Sequence, residues 1–303
     1  MKTFTSEGIK EFVAKQLFNK KDLLNRDHSW PRISIVTPSF NQGEFLERTI
    51  LSVLNQNYPN FEFIIIDGGS TDGSVEIIKK YEKYLAYWVS EKDNGQSDAI
   101  NKGFQKSTGE ILAWLNSDDV YLSNTLYSIA EVFRKRKSVE IVYGNRYIID
   151  EHDNVISERR VTHYSTFMVT LGVLYGGFGV YQPASFWRRG THEKVGGVDI
   201  SLKFCMDTDL FIRFALSNSR FKFLREYLTA FRIHSSSKTS TIREVAKKEY
   251  ESLLKKYNLK HNFISGKIIY NVMRFVKIIL YLVQGDGSYL FFKLFRDRVR
   301  WVP

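Results

Sequence analysis

The sequence predicts an α/β protein built on a mostly parallel central sheet flanked by helices. Three observations carry that prediction. Short apolar runs alternate with amphipathic stretches of about ten residues through the first half, the pattern of βαβ units. Those runs end in small and acidic residues, which suit the open carboxyl edge of such a sheet better than its interior. With 43% hydrophobic and 15% aromatic residues over 303 positions, the chain can fill a core of that size.

Ile33-Ser34-Ile35-Val36-Thr37 reads as the first strand, and Pro38-Ser39-Phe40-Asn41-Gln42-Gly43 behind it is turn chemistry. Between Glu44 and Gln56, the residues Phe45, Leu46, Ile50, Leu51, Val53 and Leu54 recur at helical spacing. Phe61–Ile66 is a second strand, closed by Asp67 and a glycine-rich turn. Val75–Tyr84 follows as a helix, Leu85–Ser90 as a third strand and Gly95–Gln105 as a third helix. Ile111–Leu115 is a buried strand that breaks off into Asn116-Ser117-Asp118-Asp119. On the residues alone, two readings of that end compete. It caps a helix starting nearby, or it holds a hard divalent cation carrying a diphosphate. Asp67, Asp93 and Asp118-Asp119 in series favour one shared site. No GxGxxG follows the first strand and no GxxxxGK[ST] loop occurs, which excludes a dinucleotide fingerprint and a P-loop.

These residues also carry a family resemblance. TPSFNQGEFLERTILSVLNQNYPNFEFIIIDGGSTDGS, EKDNGQSDAINKGF and GEILAWLNSDD are similar to the nucleotide-sugar-binding half of family 2 glycosyltransferases. GGVDISLKFCMDTDLFIRFA and FRIHSSSKTS are similar to the acceptor half, so the resemblance runs from about Ile33 to Ser240. It implies the GT-A fold and an inverting transfer, by one displacement at the anomeric carbon, from a nucleotide-sugar donor to a saccharide or lipid-linked saccharide acceptor. Within the family the chain most resembles enzymes of bacterial O-antigen, capsule or exopolysaccharide assembly. The implied cofactor is Mg²⁺ or Mn²⁺, which suits oxygen-rich ligands where zinc does not.

The resemblance also distributes roles. Thr37, Pro38 and Phe40 fall where the family holds base and ribose. Asp67 can accept an imide N–H, favouring a UDP- or dTDP-sugar. Gly68 and Gly69 let backbone approach the ligand, Ser70 joins Gly69 in the expected donor set, and Gly68–Gly73 equally make a βα turn with Ser70 or Asp72 as cap. Asp93–Gly103 is similar to the stretch lining diphosphate and sugar, which brings in Asp98 and Lys102. Lys102 also reads as a solvated helix lysine. Asn116 and Asp118 complete the donor set, with Asp118 against the ribose or a metal-bound water. Asp119 is the expected metal ligand, and His234, after Phe231-Arg232, reaches the metal or the diphosphate. Asp207 aligns with the family's base. Met206 stands where many relatives carry glutamate, so any raised pKa at Asp207 must come from burial. Asp209 points away from Asp207 if the stretch is helical, and caps or orients the helix Leu210–Leu216. Gln182 and Trp187, after the glycine-rich Tyr175–Gly179, fall at the acceptor, though Trp187 reads equally as a core aromatic.

The expected division is a helical extension over 1–30, a catalytic domain over 31–240 and a basic, aromatic helical extension over 241–303. The net charge of +11 is concentrated at the end: from Lys255 onward, ten lysines and arginines oppose Asp286 and Asp297. No nucleic-acid-binding signature accompanies the charge. Ile268, Ile269, Val272, Phe275, Val276, Ile279, Leu280 and Val283 share one helical face, opposite Lys267, Asn271, Arg274 and Lys277. That is the pattern of an interfacial helix on an anionic membrane surface, or of a packing helix with solvated basic residues. These interruptions leave no spanning segment, and the first residues do not read as a signal peptide. The single cysteine, Cys205, excludes an intramolecular disulfide and fits a reducing compartment. The expected place is the cytoplasm, peripheral on the inner face of the cell membrane. Ile9, Phe12, Val13 and Leu17 form a shorter stripe for docking on the core or a partner subunit; the oligomeric state is not legible. One rival, a nucleotidyltransferase, needs a glycine-rich basic loop where this chain has PSFNQG. The other, a non-catalytic nucleotide-sugar-binding protein docked at the membrane, is opposed by Asp119, Asp207 and His234 occurring together.

Overall fold

The computed structural model describes residues 3–19, 27–161, 180–259 and 263–295. The chain opens with α1 (Ser6–Ala14), then runs β1 (Ile33–Ser39), α2 (Gly43–Leu54), β2 (Phe61–Asp67), α3 (Ser74–Tyr81), β3 (Tyr87–Ser90), α4 (Gln96–Lys106) and β4 (Ile111–Trp114). The second half holds β5 (Val120–Tyr121), α5 (Thr125–Lys135), β6 (Ile141–Ile149), β7 (Val155–Arg159), β8 (Ser185–Arg188), α6 (Arg189–Val195), α7 (Met206–Leu216) and β9 (Phe221–Arg232). It closes with α8 (Lys238–Thr241), α9 (Arg243–Lys256), α10 (Phe263–Val283) and α11 (Gly287–Phe295).

All strands join one sheet in the order β3-β2-β1-β4-β8-β6-β9-β5, with β7 attached to β6. The pairs β3–β2, β2–β1, β1–β4 and β6–β9 are parallel and carry the long registers, while β8, β5 and β7 pair antiparallel. Ser39, Asp67 and Ser90 stand in register across β1, β2 and β3, so these strands deliver their ends to one edge. β1, β2 and β4 are buried along their whole length, and the face each residue enters alternates with the pleat. Val36, Ile64, Ile66, Leu112 and Trp114 enter one apolar cluster with Phe104, Trp187 and α7. Ile33, Ile35, Phe63, Ile65 and Ala113 enter a second with α2, α3 and α5 on the opposite face. Strands covered on both sides read as unbroken apolar runs, which is why β1, β2 and β4 are legible in the sequence.

The first and last described helices are docked on the rest of the chain. Ile9 and Val13 of α1 are buried against Val120, Leu122, Tyr147 and Tyr227, on the chain's own sheet. At the other end, α10 stops in a Schellman turn: Gly285 adopts φ +74°, its N–H meets the Leu282 carbonyl, and the Asp286 N–H meets that of Tyr281. Asp286 is buried and accepts from Arg160 and Arg225. Tyr281 Oη donates to the Arg160 carbonyl and the Arg160 N–H donates to Tyr289 Oη. These bonds pin the α10–α11 corner beside β7 and β9.

Candidate functional site

A cavity of about 830 Å³ opens at the carboxyl edge of the parallel strands. Pro38, Ser39, Phe40, Gly68, Gly69 and Asp93 line one part of it. Phe40 leaves 59% of its surface exposed there, available to an aromatic base. Asp67 does not line it. The carboxylate is fully buried and accepts from Gly69 N, Ser70 N, Ser70 Oγ and Ser90 Oγ at 2.5–3.1 Å. Its hydrogen-bonding capacity goes into holding the turn in which Gly69 has φ +84°. The expectation that Asp67 reads the base is therefore corrected. Ser70 is likewise engaged with Asp67 and with the Asn41 N–H, and Thr37 is buried within β1. Neither lines the cavity among the described residues. A side chain at Gly68 would strike Asp93 Oδ2 at 2.9 Å. The acid presented beside these glycines is Asp93, with Oδ1 held by the Gly95 N–H at 2.8 Å.

Next along the wall comes the amino end of α4, with Gly95, Gln96 and Ala99 facing the cavity. Unpaired helix-end N–H groups favour an anion there. Asp98 caps this turn, accepting from Asn94 N at 3.0 Å, and Lys102 pairs with Glu91 at 3.0 Å and Asp98 at 3.6 Å. Neither side chain lines the cavity, so the expected contact of Lys102 with phosphate is corrected: its charge is neutralised at the helix surface.

The acidic end of β4 inverts the expected roles. Asp118 lines the cavity, and its Oδ2 lies 3.1 Å from His234 Nε2. Asp119 is fully buried; Oδ1 accepts from the Arg232 N–H at 3.0 Å and Oδ2 from Asn116 Nδ2 at 3.3 Å. Burial, then the adjacent Asp118, push the Asp119 pKa well up. A group so enclosed cannot reach a ligand, which corrects Asp119 as the metal contact. Arg232, itself fully buried, sets the corner: its Nε donates to the Asp118 carbonyl, its Nη1 to the Asp150 carbonyl, and its Nη2 pairs with Asp153 at 2.7 Å. His234 is held by Ser236 Oγ on Nδ1 and by the Phe45 ring, 4.5 Å between centroids. With 2% of its side chain exposed it does not line the cavity, which corrects it from a direct metal contact to a group that orients Asp118. The fit of a divalent cation rests on these donors. One carboxylate and one imidazole converge, and no cluster of three or more metal-ligating side chains occurs among the described residues. Of the pair, Asp118 is the one presented to the cavity, a hard oxygen donor of the kind Mg²⁺ or Mn²⁺ takes.

The remaining wall comes from the second half. Asp207, in the first turn of α7, lines the cavity. Its Oδ1 accepts from Thr208 N at 2.6 Å and more weakly from Thr208 Oγ1. Burial raises its pKa, opposed by Thr208 and by Arg146. Asp209 faces the other way, fully buried among Arg213, Lys256 and Tyr257 Oη at 2.6–3.0 Å. Gln182 lines the cavity with Nε2 on the Trp114 carbonyl. Trp187 is 0% exposed, packed among Phe104, Trp114 and Phe214, and offers no face to a sugar; its acceptor role is corrected to a core one. Tyr175–Gly179 lie outside the described residues.

The cavity also shows residues not expected from the sequence. Arg146 of β6 lies over the rings of Tyr181 at 4.1 Å and Phe231 at 4.6 Å, and its charge acts on both Asp119 and Asp207. Lys92, Lys203 and Lys238 line the rim, and Lys238 Nζ reaches Gln96 Oε1 at 2.7 Å. No signal in the sequence points to Arg146, because Gly144, Asn145 and Arg146 itself break the apolar run of β6, and only the fold shows the arginine buried in a strand.

The profile of Glycosyl transferase family 2 matches residues 34–196. An uncharacterized glycosyltransferase of Nostoc sp. is 30% identical over 214 residues, covering 68% of this chain and 66% of that one. Among solved structures, S. aureus TarS 1–349 in complex with UDP-GlcNAc aligns with TM-score 0.57 and 19% identity over 69% of this chain and 61% of that one. The mannosyltransferase PcManGT from Pyrobaculum calidifontis, in complex with GDP-Man and Mn²⁺, aligns with TM-score 0.57 and 15% identity over 85% and 71%. The fold is thus GT-A.

Proposed function

The chain belongs to the family 2 glycosyltransferases, and on that premise we propose that it moves a sugar, with inversion, from a nucleoside-diphosphate sugar to a saccharide or lipid-linked saccharide acceptor. The setting is assembly of a bacterial surface polysaccharide at the cytoplasmic face of the membrane. One observation carries the reading: a single cavity is lined both by Asp118, coupled to His234, and by Asp207.

The departing diphosphate gains charge as the glycosidic bond breaks, and the attacking hydroxyl must lose a proton. Asp118, oriented by His234 behind it, would hold a Mg²⁺ or Mn²⁺, which when bound supplies counter-charge to the diphosphate. The amino end of α4 and the rim lysines favour the same anion. Asp207 takes the proton at Oδ2. Burial raises the pKa of that carboxylate, and the Thr208 hydrogen bonds and then the Arg146 charge oppose the rise. Phe40 stacks on the base, and Asp93 Oδ2 accepts the base N–H that Asp67 cannot reach. A uracil or thymine imide matches that single acceptor, while the structural neighbours hold both a UDP-sugar and a GDP-sugar.

The test is incubation with labelled UDP-, dTDP- and GDP-sugars in Mn²⁺, with thermal shift as the binding readout. A uridine or thymidine donor should stabilise the protein most and yield a labelled acceptor. Chelation by EDTA should abolish transfer, and Mg²⁺ or Mn²⁺ should restore it. Asp93→Ala should blunt the discrimination among bases. Nucleotide rather than sugar on the product would overturn the reaction class.

A further inference from the structure

Amphipathic helices of globular proteins turn their apolar face inward. The helix α10 does the reverse. Val272, Phe275, Ile279, Leu282 and Val283 are each 41–78% exposed, and Phe291 of α11 is 58% exposed. The helix meets the protein through Tyr281, buried on the Arg160 carbonyl, and through Leu280, which lies at the edge of the expected apolar stripe and packs on the main apolar cluster. The side chains of residues 263–270, Lys267 among them, and residues from Arg296 onward lie outside the described residues. We propose that this outward face of α10, with Phe291, is a docking surface for an anionic lipid bilayer, on which the helix lies in the plane of the interface.

Charge selects this occupant. Neither α10 nor α11 contains an acidic residue. Asp286 between them is consumed internally by Arg160 and Arg225, so it presents no negative charge to a surface. Arg274 is exposed on α10, within a terminal stretch where ten basic residues oppose two acidic ones. Apolar side chains on a helix within a cationic segment free of competing acids match anionic headgroups over acyl chains. The geometry favours lying over crossing. At 21 residues α10 spans about 31 Å, but Asn271, Arg274 and Lys277 interrupt it, and no described helix is long and apolar enough to cross a membrane.

The surface is also held rigidly to the catalytic body. The Schellman turn and the Arg160–Asp286–Arg225 pairs fix the end of α10. Tyr289 beyond that turn is raised in pKa by burial and by its neighbour Tyr181, which lines the cavity. A bilayer bound at α10 would thus lie at a fixed offset from the cavity wall. That this offset serves a lipid-linked acceptor rests on the function proposed above; binding to the bilayer does not.

The test is co-sedimentation of the full chain with phosphatidylcholine vesicles and with vesicles also containing phosphatidylglycerol. Binding should need the anionic lipid and weaken with added salt. The exposed-face variant Val272→Ser/Phe275→Ser/Ile279→Ser should lose binding by about tenfold or more, with an unchanged melting temperature and unchanged transfer to a water-soluble acceptor. Equal recovery with both vesicle types, or no recovery with either, overturns the proposal. So does a wild-type dimer that the variant converts to monomer without any change in vesicle binding. Vesicle binding as expected with no sugar transfer from any donor would overturn the catalytic reading and leave the docking surface standing.

Discussion

Two regions of the cavity each contain two aspartates of which only one faces the ligand space, and they hide the other differently. At the end of β4, Asp118 is presented while Asp119 is buried against a backbone N–H and an amide, with no side-chain cation in hydrogen-bond contact. At the start of α7, Asp207 is presented while Asp209 is buried in direct contact with Arg213, Lys256 and Tyr257. Proximity in sequence to the chemistry therefore says little about participation. The presented acid has an oxygen left over; the hidden one is spent on the scaffold, at Asp209 as a charge network and at Asp119 as a turn.

The comparison is sharpest at Asp118. Asp118→Ala should lose donor affinity and lower turnover by about 10³-fold or more, as expected for losing several kcal/mol of charge stabilisation. Its melting temperature should stay near wild type. Isothermal titration with nucleotide in Mn²⁺ and a turnover assay check both, and wild-type donor affinity would break the assignment. Asp207→Asn should keep donor affinity and lower turnover by roughly 10²-fold or more, the range of a lost general base. The pH profile carries a sign as well. Burial raises the Asp207 pKa in the fold, so the wild-type rate should climb with pH through that raised value. The same shift disfavours the ionised carboxylate on folding. Its cost appears as pH rises above the unfolded value of about 3.9 and is complete above the folded one. Asp207→Asn should therefore melt higher than wild type at pH 7, and the gain should vanish in acid.

The hidden acids should respond in the opposite sense. Asp209→Asn breaks a buried charge network and should destabilise by about 3–5 kcal/mol, read as a lower denaturant midpoint. The folded fraction should still turn over. A higher midpoint would erase the contrast with Asp207. Asp119→Ala leaves the Arg232 N–H and the Asn116 amide without their acceptor, a cost of about 1–3 kcal/mol; donor binding by the folded protein should survive, unlike that of Asp118→Ala. Smallest is Lys102→Ala, whose partners lie outside the cavity. Turnover should stay within about twofold, the scatter of surface substitutions, and a larger loss would return Lys102 to the donor site.

Physical differences explain which parts of this site can be read in advance. Residues two apart on a helix point well away from each other, so once α7 is recognised Asp207 and Asp209 separate on inspection. Consecutive residues after a strand separate only through the turn that follows, and Asn116–Asp119 leave β4 in a turn fixed by Arg232, 113 positions from Asp119. No local pattern encodes that. β1, β2 and β4 are legible because both faces are buried. β6, equally buried, is not read as a strand, since Gly144, Asn145 and Arg146 break its apolar run. With β6 goes Arg146, the cation between the two acidic regions. Trp187 shows the limit of composition: an aromatic near a glycine-rich segment suits a sugar platform, and only the packing of β8 against β4 and β6 places it inside.

Arg232 and His234 have a consequence for when the protein becomes competent. Their contacts join positions 82 to 116 residues apart, and contacts of such separation form only after the intervening chain has closed. During synthesis, β1 to β4 and the Phe40–Gly69 shelf are complete long before residue 234 is made. A chain at that stage could already hold the Asn116–Asp119 turn through Thr49 Oγ1, which donates to the Ser117 and Asp119 carbonyls, but it would lack the Arg232 contacts and the His234 imidazole on Asp118. The Asp118 corner would then close late, when the buried Arg232 guanidinium docks on the Asp118 and Asp150 carbonyls.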